Sequence, residues 1–159
     1  MPVIDHPEDD FSLITRDAEK LSKGKKLYRE VQTGIDIVKA QIKIALGINY
    51  DLDQRLITFK GHSIECRINA EDPETFEPCP GKITKMHTAG GFGIRYDSHI
   101  YGGYNVSPFY DSLLAKIITQ ANSRKTAIKR MLSALDEFYV EGIKTNHSLH
   151  EKILIDEIF

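Results

Sequence analysis

The sequence predicts an α+β domain, an antiparallel sheet flanked by helices. Two patterns carry that prediction. Apolar residues recur at helical spacing before Gly47 and after Ser123, and between Leu56 and about Tyr101 the period shortens to two, broken by glycine and proline. A length of 159 residues suits one domain with a real core, and 41% hydrophobic with 28% charged residues is the balance of a globular chain.

The first thirty residues differ from the rest and are set apart as a divergent N-terminal segment, leaving 31–159 as the domain. Within that segment a short helix is predicted from Thr15 to about Ser22, stopped by Gly24. Lys23-Gly-Lys-Lys26 reads as a solvated loop or frayed end. Thr33 is the expected cap of a helix over 35–46, whose apolar stripe is Ile35, Val38, Ile42 and Ala45 or Leu46, widened by Ile37 and Ile44. Gly47 ends it.

Strands are expected at 56–70, 82–88 and 93–97. Pro73, Pro78, Pro80 and Gly81 part the first from the second, Gly90-Gly91 offers a hairpin turn between the second and third, and Gly102-Gly103 marks another turn. Leu113–Thr119 is a fourth strand, buried apart from Lys116. Ser123 then caps a helix to about Tyr139, with Ala127, Ile128, Met131, Leu132, Leu135 and Phe138 facing the core. Thr145 or Asn146 caps a last helix through about Leu154.

Composition narrows the function classes. A formal net charge of −2 gives no basis for general nucleic-acid binding, and no apolar run reaches the length of a membrane span. Met1-Pro-Val-Ile-Asp-His6 with the acidic residues after it is not a secretory leader, so a cytoplasmic location is expected. Cys66 reads as a buried small hydrophobe, and with Cys79 it fits no zinc spacing. There is no P-loop, and Gly90-Gly-Phe-Gly93 suits a turn better than a phosphate cradle. His147 and His150 are spaced to share a metal, but with no third ligand nearby they read as an exposed helix face. Asp111 reads as a turn residue.

The stretch Gly61–Pro73 is the most informative. Ile64, Cys66, Ile68 and Ala70 alternate with Glu65, Arg67 and Asn69, which puts a glutamate, an arginine and an amide on one face of a strand. A planar guanidinium at the centre suits a flat acceptor such as a carboxylate, a phosphate or a urea carbonyl. The pattern by itself favours the plainer alternative, a surface ion pair.

Six ordered strings add to that reading. Glu65-Cys-Arg-Ile-Asn-Ala-Glu-Asp-Pro73, Pro80-Gly-Lys-Ile-Thr84, Gly90-Gly-Phe-Gly-Ile-Arg95, Asp97-Ser-His-Ile-Tyr101, Phe109-Tyr-Asp-Ser112 with Lys116, and Gly142-Ile-Lys-Thr-Asn146 resemble the C-terminal domain of biotin carboxylase. That ATP-grasp ligase is a subunit of acetyl-CoA carboxylase, in fatty acid biosynthesis, and a module of pyruvate and propionyl-CoA carboxylases. The helix string Thr33-Gly-Ile-Asp-Ile-Val-Lys39 is similar too, so the resemblance runs over about 31–159.

The resemblance implies carboxylation of carrier-bound biotin with ATP, magnesium and bicarbonate, alongside a biotin carboxyl carrier protein and a carboxyltransferase. It makes Arg67 the biotin-site arginine, which meets the ureido oxygen and stabilises the enolate formed when N1′ loses its proton. It makes Phe92 and Arg95 a homodimer contact. It also implies a shortfall. The family's string Asn-x-Arg-x-Gln-Val-Glu-His-Pro-Val-Thr-Glu stands here as Glu19–Glu30, of which only Glu30 matches, and Lys25 holds the catalytic glutamate's place. A protonated lysine is a poor general base. The ATP-grasp half and the family's final segment have no counterpart in the chain, so the expectation is a partial enzyme, inactive alone and binding none of these ligands tightly. The alternative is a non-catalytic module that dimerises with itself or pairs with an intact carboxylase subunit.

Overall fold

A computed structural model describes residues 3–4, 27–48 and 52–159. The predicted helix at 15–22, the basic run 23–26 and Lys25 lie outside the described residues. The architecture is α+β, as expected. Its main sheet holds four antiparallel strands in the order β1 (Val3–Ile4), β2 (His62–Asn69), β7 (Leu113–Ala121), β5 (Ile94–Ser98). Two small ladders complete it: β3 (Gly81–Lys82) with β6 (Asn105–Val106), and β4 (Lys85–His87) with β8 (Tyr139–Glu141).

One sheet face packs against α3 (Arg124–Glu137), whose Ala127, Met131 and Leu135 meet Ile64, Cys66 and Ile117 in the main core. Ser123 caps α3 as expected, its hydroxyl accepting from the Thr126 N–H. The β2–β7 register slips between Ile68 and Asn69, leaving Leu114 as the extra residue on β7. That bulge turns Leu114 into a second core with Ala70, Ile83, Ile100 and Val106.

Several expectations are corrected. A helix, α1 (Leu27–Thr33), precedes the expected one, and α2 (Ile37–Ala45) begins later. Thr33 does not cap α2; its hydroxyl donates to the Arg29 carbonyl at 2.7 Å and closes α1. Gly34, at φ +73°, breaks the helical path, and Asp36 caps α2 by accepting from Lys39 N at 2.8 Å. The apolar stripe also differs: Ile37 and Ala40 are buried, whereas Val38, Ile42, Ile44 and Leu46 are exposed. This segment is apolar on more than one side, so periodicity alone could not choose the inner face.

The strand expected over 56–70 starts only at His62, after a 3₁₀ turn at Gln54–Leu56. The strand expected over 82–88 is two, because the chain changes partner between them: Ile83 N donates to Tyr104 O and Thr84 N to Glu141 O. Gly90-Gly91 is not a hairpin turn, since β4 pairs with β8 and β5 with β7. The last helix, α4 (His147–Ile155), lies where expected, with Asn146 at its N-cap.

Candidate functional site

The polar face of the Arg67 strand is the sheet face opposite α3. Directly opposed residues share a face, so β2, β7 and β5 lay down two rows, Glu65–Ile118–Arg95 and Arg67–Lys116–Asp97. α1 lies against β2 and β7 on this side. Its Glu30 joins the face: Oε2 takes Arg95 Nη1 at 3.1 Å, while Oε1 accepts from Ile37 N at 3.0 Å and so anchors the start of α2. Arg95 is also paired with Asp97 at 2.9 Å.

The surface ion pair that the pattern favoured does not form. Glu65 is wholly buried, and neither of its carboxylate oxygens has a hydrogen-bond partner among the described residues. Burial pushes its carboxyl above the usual range, against a smaller opposing pull from Lys116 and Arg67. The sign of the linkage follows. The protonated form is favoured in the fold, so Glu65's contribution is fully present below pH 4.5 and is lost as pH rises through the folded-state value. Glu65→Gln is therefore expected to stabilise the chain by about 1–3 kcal/mol at neutral pH. Urea unfolding at pH 4 and pH 8 should show the gain only at the higher pH, and an equal gain at both would contradict it.

The rest of the string is committed to the fold. Asn69 Nδ2 donates to Glu71 Oε1 at 3.0 Å, and the Ser112 hydroxyl donates to the same oxygen. Asp72 accepts from Glu74 N and Thr75 N and pairs with Lys144 Nζ at 2.6 Å. The Lys144 hydrogen bond, with those from the two backbone N–H groups, holds the Asp72 carboxyl down to about 2. Together these bonds shape the 72–77 loop, which places Phe76 at φ +61°.

Arg67 is different. Its backbone carbonyl receives two side-chain donors, Asn146 Nδ2 at 3.2 Å and His150 Nε2 at 2.9 Å. Half-buried Arg67 makes no side-chain hydrogen bond or ion pair among the described residues. It borders a cavity of ≈ 500 Å³ with Asn69, Glu71, Phe76, Asn146, Leu149 and Ile153. A fixed peptide carrying an uncommitted planar cation beside apolar walls suits a flat, polar-edged ring.

Other sequence candidates resolve variously. His150 is not exposed: it is fully buried on the Arg67 carbonyl, and His147 Nδ1 meets Thr145 Oγ1 at 2.7 Å. Among the described residues no group of three or more His, Cys, Asp and Glu is placed to hold a metal. Phe92 is 94% exposed, with the Arg130 guanidinium 5.8 Å from its ring centre. Arg95 is engaged with Glu30 and Asp97. Sequence reasoning singled out neither the Glu30–Arg95 pair nor the hold of Asn146 and His150 on Arg67. Only Glu30's match to the family string hinted at the first.

This fold is that of a biotin carboxylase C-terminal domain. The biotin carboxylase C-terminal domain family model matches residues 65–159, and the chain belongs to that family. Among curated relatives, the biotin carboxylase of Haemophilus influenzae is 55% identical over 130 residues, 82% of this chain and 29% of that enzyme. The 2-oxoglutarate carboxylase small subunit of Hydrogenobacter thermophilus is 47% identical over 131 residues, 82% of this chain and 28% of that protein. The biotin carboxylase domain of a thermophilic 2-oxoglutarate carboxylase bound to bicarbonate superposes with a TM-score of 0.79 at 46% identity, over 82% of this chain and 30% of that one. The Campylobacter jejuni biotin carboxylase–βγ-ATP complex gives 0.78 at 44%, over 82% and 29%. The chain thus spans less than a third of the curated relatives it matches.

Proposed function

We propose that this chain carries the biotin-facing arginine half of a biotin carboxylase site and works only with the ATP-grasp portion its relatives possess. The observation that carries this reading is Arg67, fixed through its backbone and uncommitted at its guanidinium beside a cavity. When a base removes the N1′ proton of carrier-bound biotin, negative charge moves to the ureido oxygen. A guanidinium held there stabilises that charge more than it stabilises the neutral urea, which is how it would lower the barrier. Arg67 lies opposite Lys116 in the same row, so two cationic side chains start from this face, with Asp97 beyond them.

The base and the ATP site are not supplied by the residues described. The chain matches 29% of the Haemophilus influenzae enzyme, and Lys25 stands at the family's catalytic glutamate. The purified chain is therefore expected to show no bicarbonate-dependent ATP hydrolysis above a blank, and measurable turnover would overturn this reading. The carrier protein, the carboxyltransferase, magnesium and a place in fatty acid synthesis belong to the same proposal.

A second reading, a module that pairs with itself or with an intact carboxylase subunit, is favoured by Phe92. A phenyl ring 94% exposed beside an arginine has the character of an interface anchor. Sedimentation of the wild type is expected to give a dimer that Phe92→Ala dissociates at least tenfold more readily. Two equal monomers would remove the idea. Arg95→Glu is the poorer probe, because it sets a third carboxylate against Glu30 and Asp97.

A further inference from the structure

β2 has ladder partners along the β7 side, but on its outer side β1 pairs only at Cys66 and Glu65. From Arg67 onward no strand among the described residues lies beside that edge, and buried backbone polar groups there need partners. The first turn of α4 supplies them. Asn146 Oδ1 accepts from Asn69 N at 2.9 Å, Nδ2 donates to Arg67 O at 3.2 Å, and the Asn146 N–H donates to Asn69 O at 3.2 Å. His150 Nε2 adds a second donor on Arg67 O at 2.9 Å. One asparagine thus stands in for a strand residue, and both side chains are buried. A carbonyl oxygen can only accept, so His150 carries its proton on Nε2, and its Nδ1 is buried without a partner.

The arrangement displaces a cheaper use of Asn146. At the N-cap of α4 its side chain makes no capping bond, although Asn is among the preferred capping residues. The amide is turned to the strand instead, onto the Arg67 carbonyl and the Asn69 N–H that follow the arginine in the chain. A long side chain amplifies any rotation of the peptide from which it springs.

We propose that Asn146 and His150 are positioning residues for Arg67, gripping its carbonyl so that the arginine backbone, and with it the guanidinium, is held in one orientation. This rests on the reading that Arg67 meets biotin. The test does not need biotin, so the two can fail separately.

NMR of the isotope-labelled 159-residue chain would follow the Arg67 carbonyl carbon and the Arg67 Nε–Hε relaxation, the latter assigned by its loss in Arg67→Lys. His150→Leu should shift the Arg67 carbonyl upfield and lower the Nε–Hε heteronuclear NOE, with Ile64 and Ile117 on the same sheet unmoved. His150→Gln, which keeps an N–H donor, should return both signals toward wild type, as loss of packing alone would not predict. If His150→Leu does not fold, Asn146→Asp serves: it keeps the acceptor for Asn69 N but loses the donor, so the Arg67 carbonyl should move while the Asn69 amide does not. Unchanged Arg67 signals in the folded variant would overturn the proposal.

Discussion

Arg67→Ala is expected to lower carboxylation by about 10²–10³-fold while leaving the fold intact, the loss seen when one preorganised oxyanion donor is removed. The assay needs a base and an ATP site. It is best read in a chimera where residues 31–159 replace the matching part of the Haemophilus influenzae enzyme. The loss should fall on kcat as well as kcat/KM, because the ureido oxygen gains its charge only on the way to the transition state. Thermal stability should hardly change, since the guanidinium of half-buried Arg67 has no partner among the described residues. Arg67→Lys should recover only part of the rate, because an ammonium is a point charge without the flat fork of donors. Full activity in Arg67→Ala would remove Arg67 from the site, whatever the fate of the proposal about its positioning residues.

Gly61→Ala is expected to cost about 3 kcal/mol, made of roughly 1–2 for a left-handed backbone at a residue with a Cβ and the remainder for overlap. Gly61 has φ +68°, and an added Cβ would lie 2.1 Å from the Ala121 carbonyl oxygen. That oxygen belongs to backbone, in the first rung of the β2–β7 ladder, His62 opposite Ala121. It cannot move aside without opening the pairing that sets the Arg67 row. Gly61 is also where α1 is tied to the sheet, because Gln32 Nε2 donates to Gly61 O and Lys60 N donates to Gln32 O. Urea unfolding should show a lower midpoint with an unchanged slope. Gly90→Ala is the control: nothing lies within 4 Å of its Cβ position and its backbone is not left-handed, so the expected change is within about 0.5 kcal/mol. Equal effects at the two glycines would refute the explanation from close approach.

The fold class was legible because its signals are local. The period-two alternation of 64–68, the Ser123 cap and the α3 stripe each follow from neighbours a few residues apart. The apolar face of α2 was not legible, since Ile37, Val38, Ile42 and Ile44 all satisfy a helical pattern and only tertiary packing selects Ile37. The Gly90-Gly91 hairpin failed for a related reason. Glycines report that the chain bends, not which strands meet afterwards.

At the site, the sequence alone determined which strand carries the arginine, which face it occupies, and, through six ordered strings, the family. What it could not determine was the state of each polar group on that strand. Glu65, Arg67 and Asn69 are equivalent by period, yet Glu65 is buried without a partner, Asn69 bonds Glu71, and the Arg67 guanidinium is uncommitted. Those differences come from groups distant in sequence: α1 against the face, Ser112 beside Glu71, and Asn146 and His150, 79 and 83 residues beyond Arg67, on its carbonyl. Alternation fixes direction from the chirality and pleat of the chain itself, whereas hydrogen-bond partnership depends on what tertiary packing brings within 3 Å or so. Only the tertiary structure could separate the residues committed to building the arginine strand from the one whose side chain has no partner among the described residues.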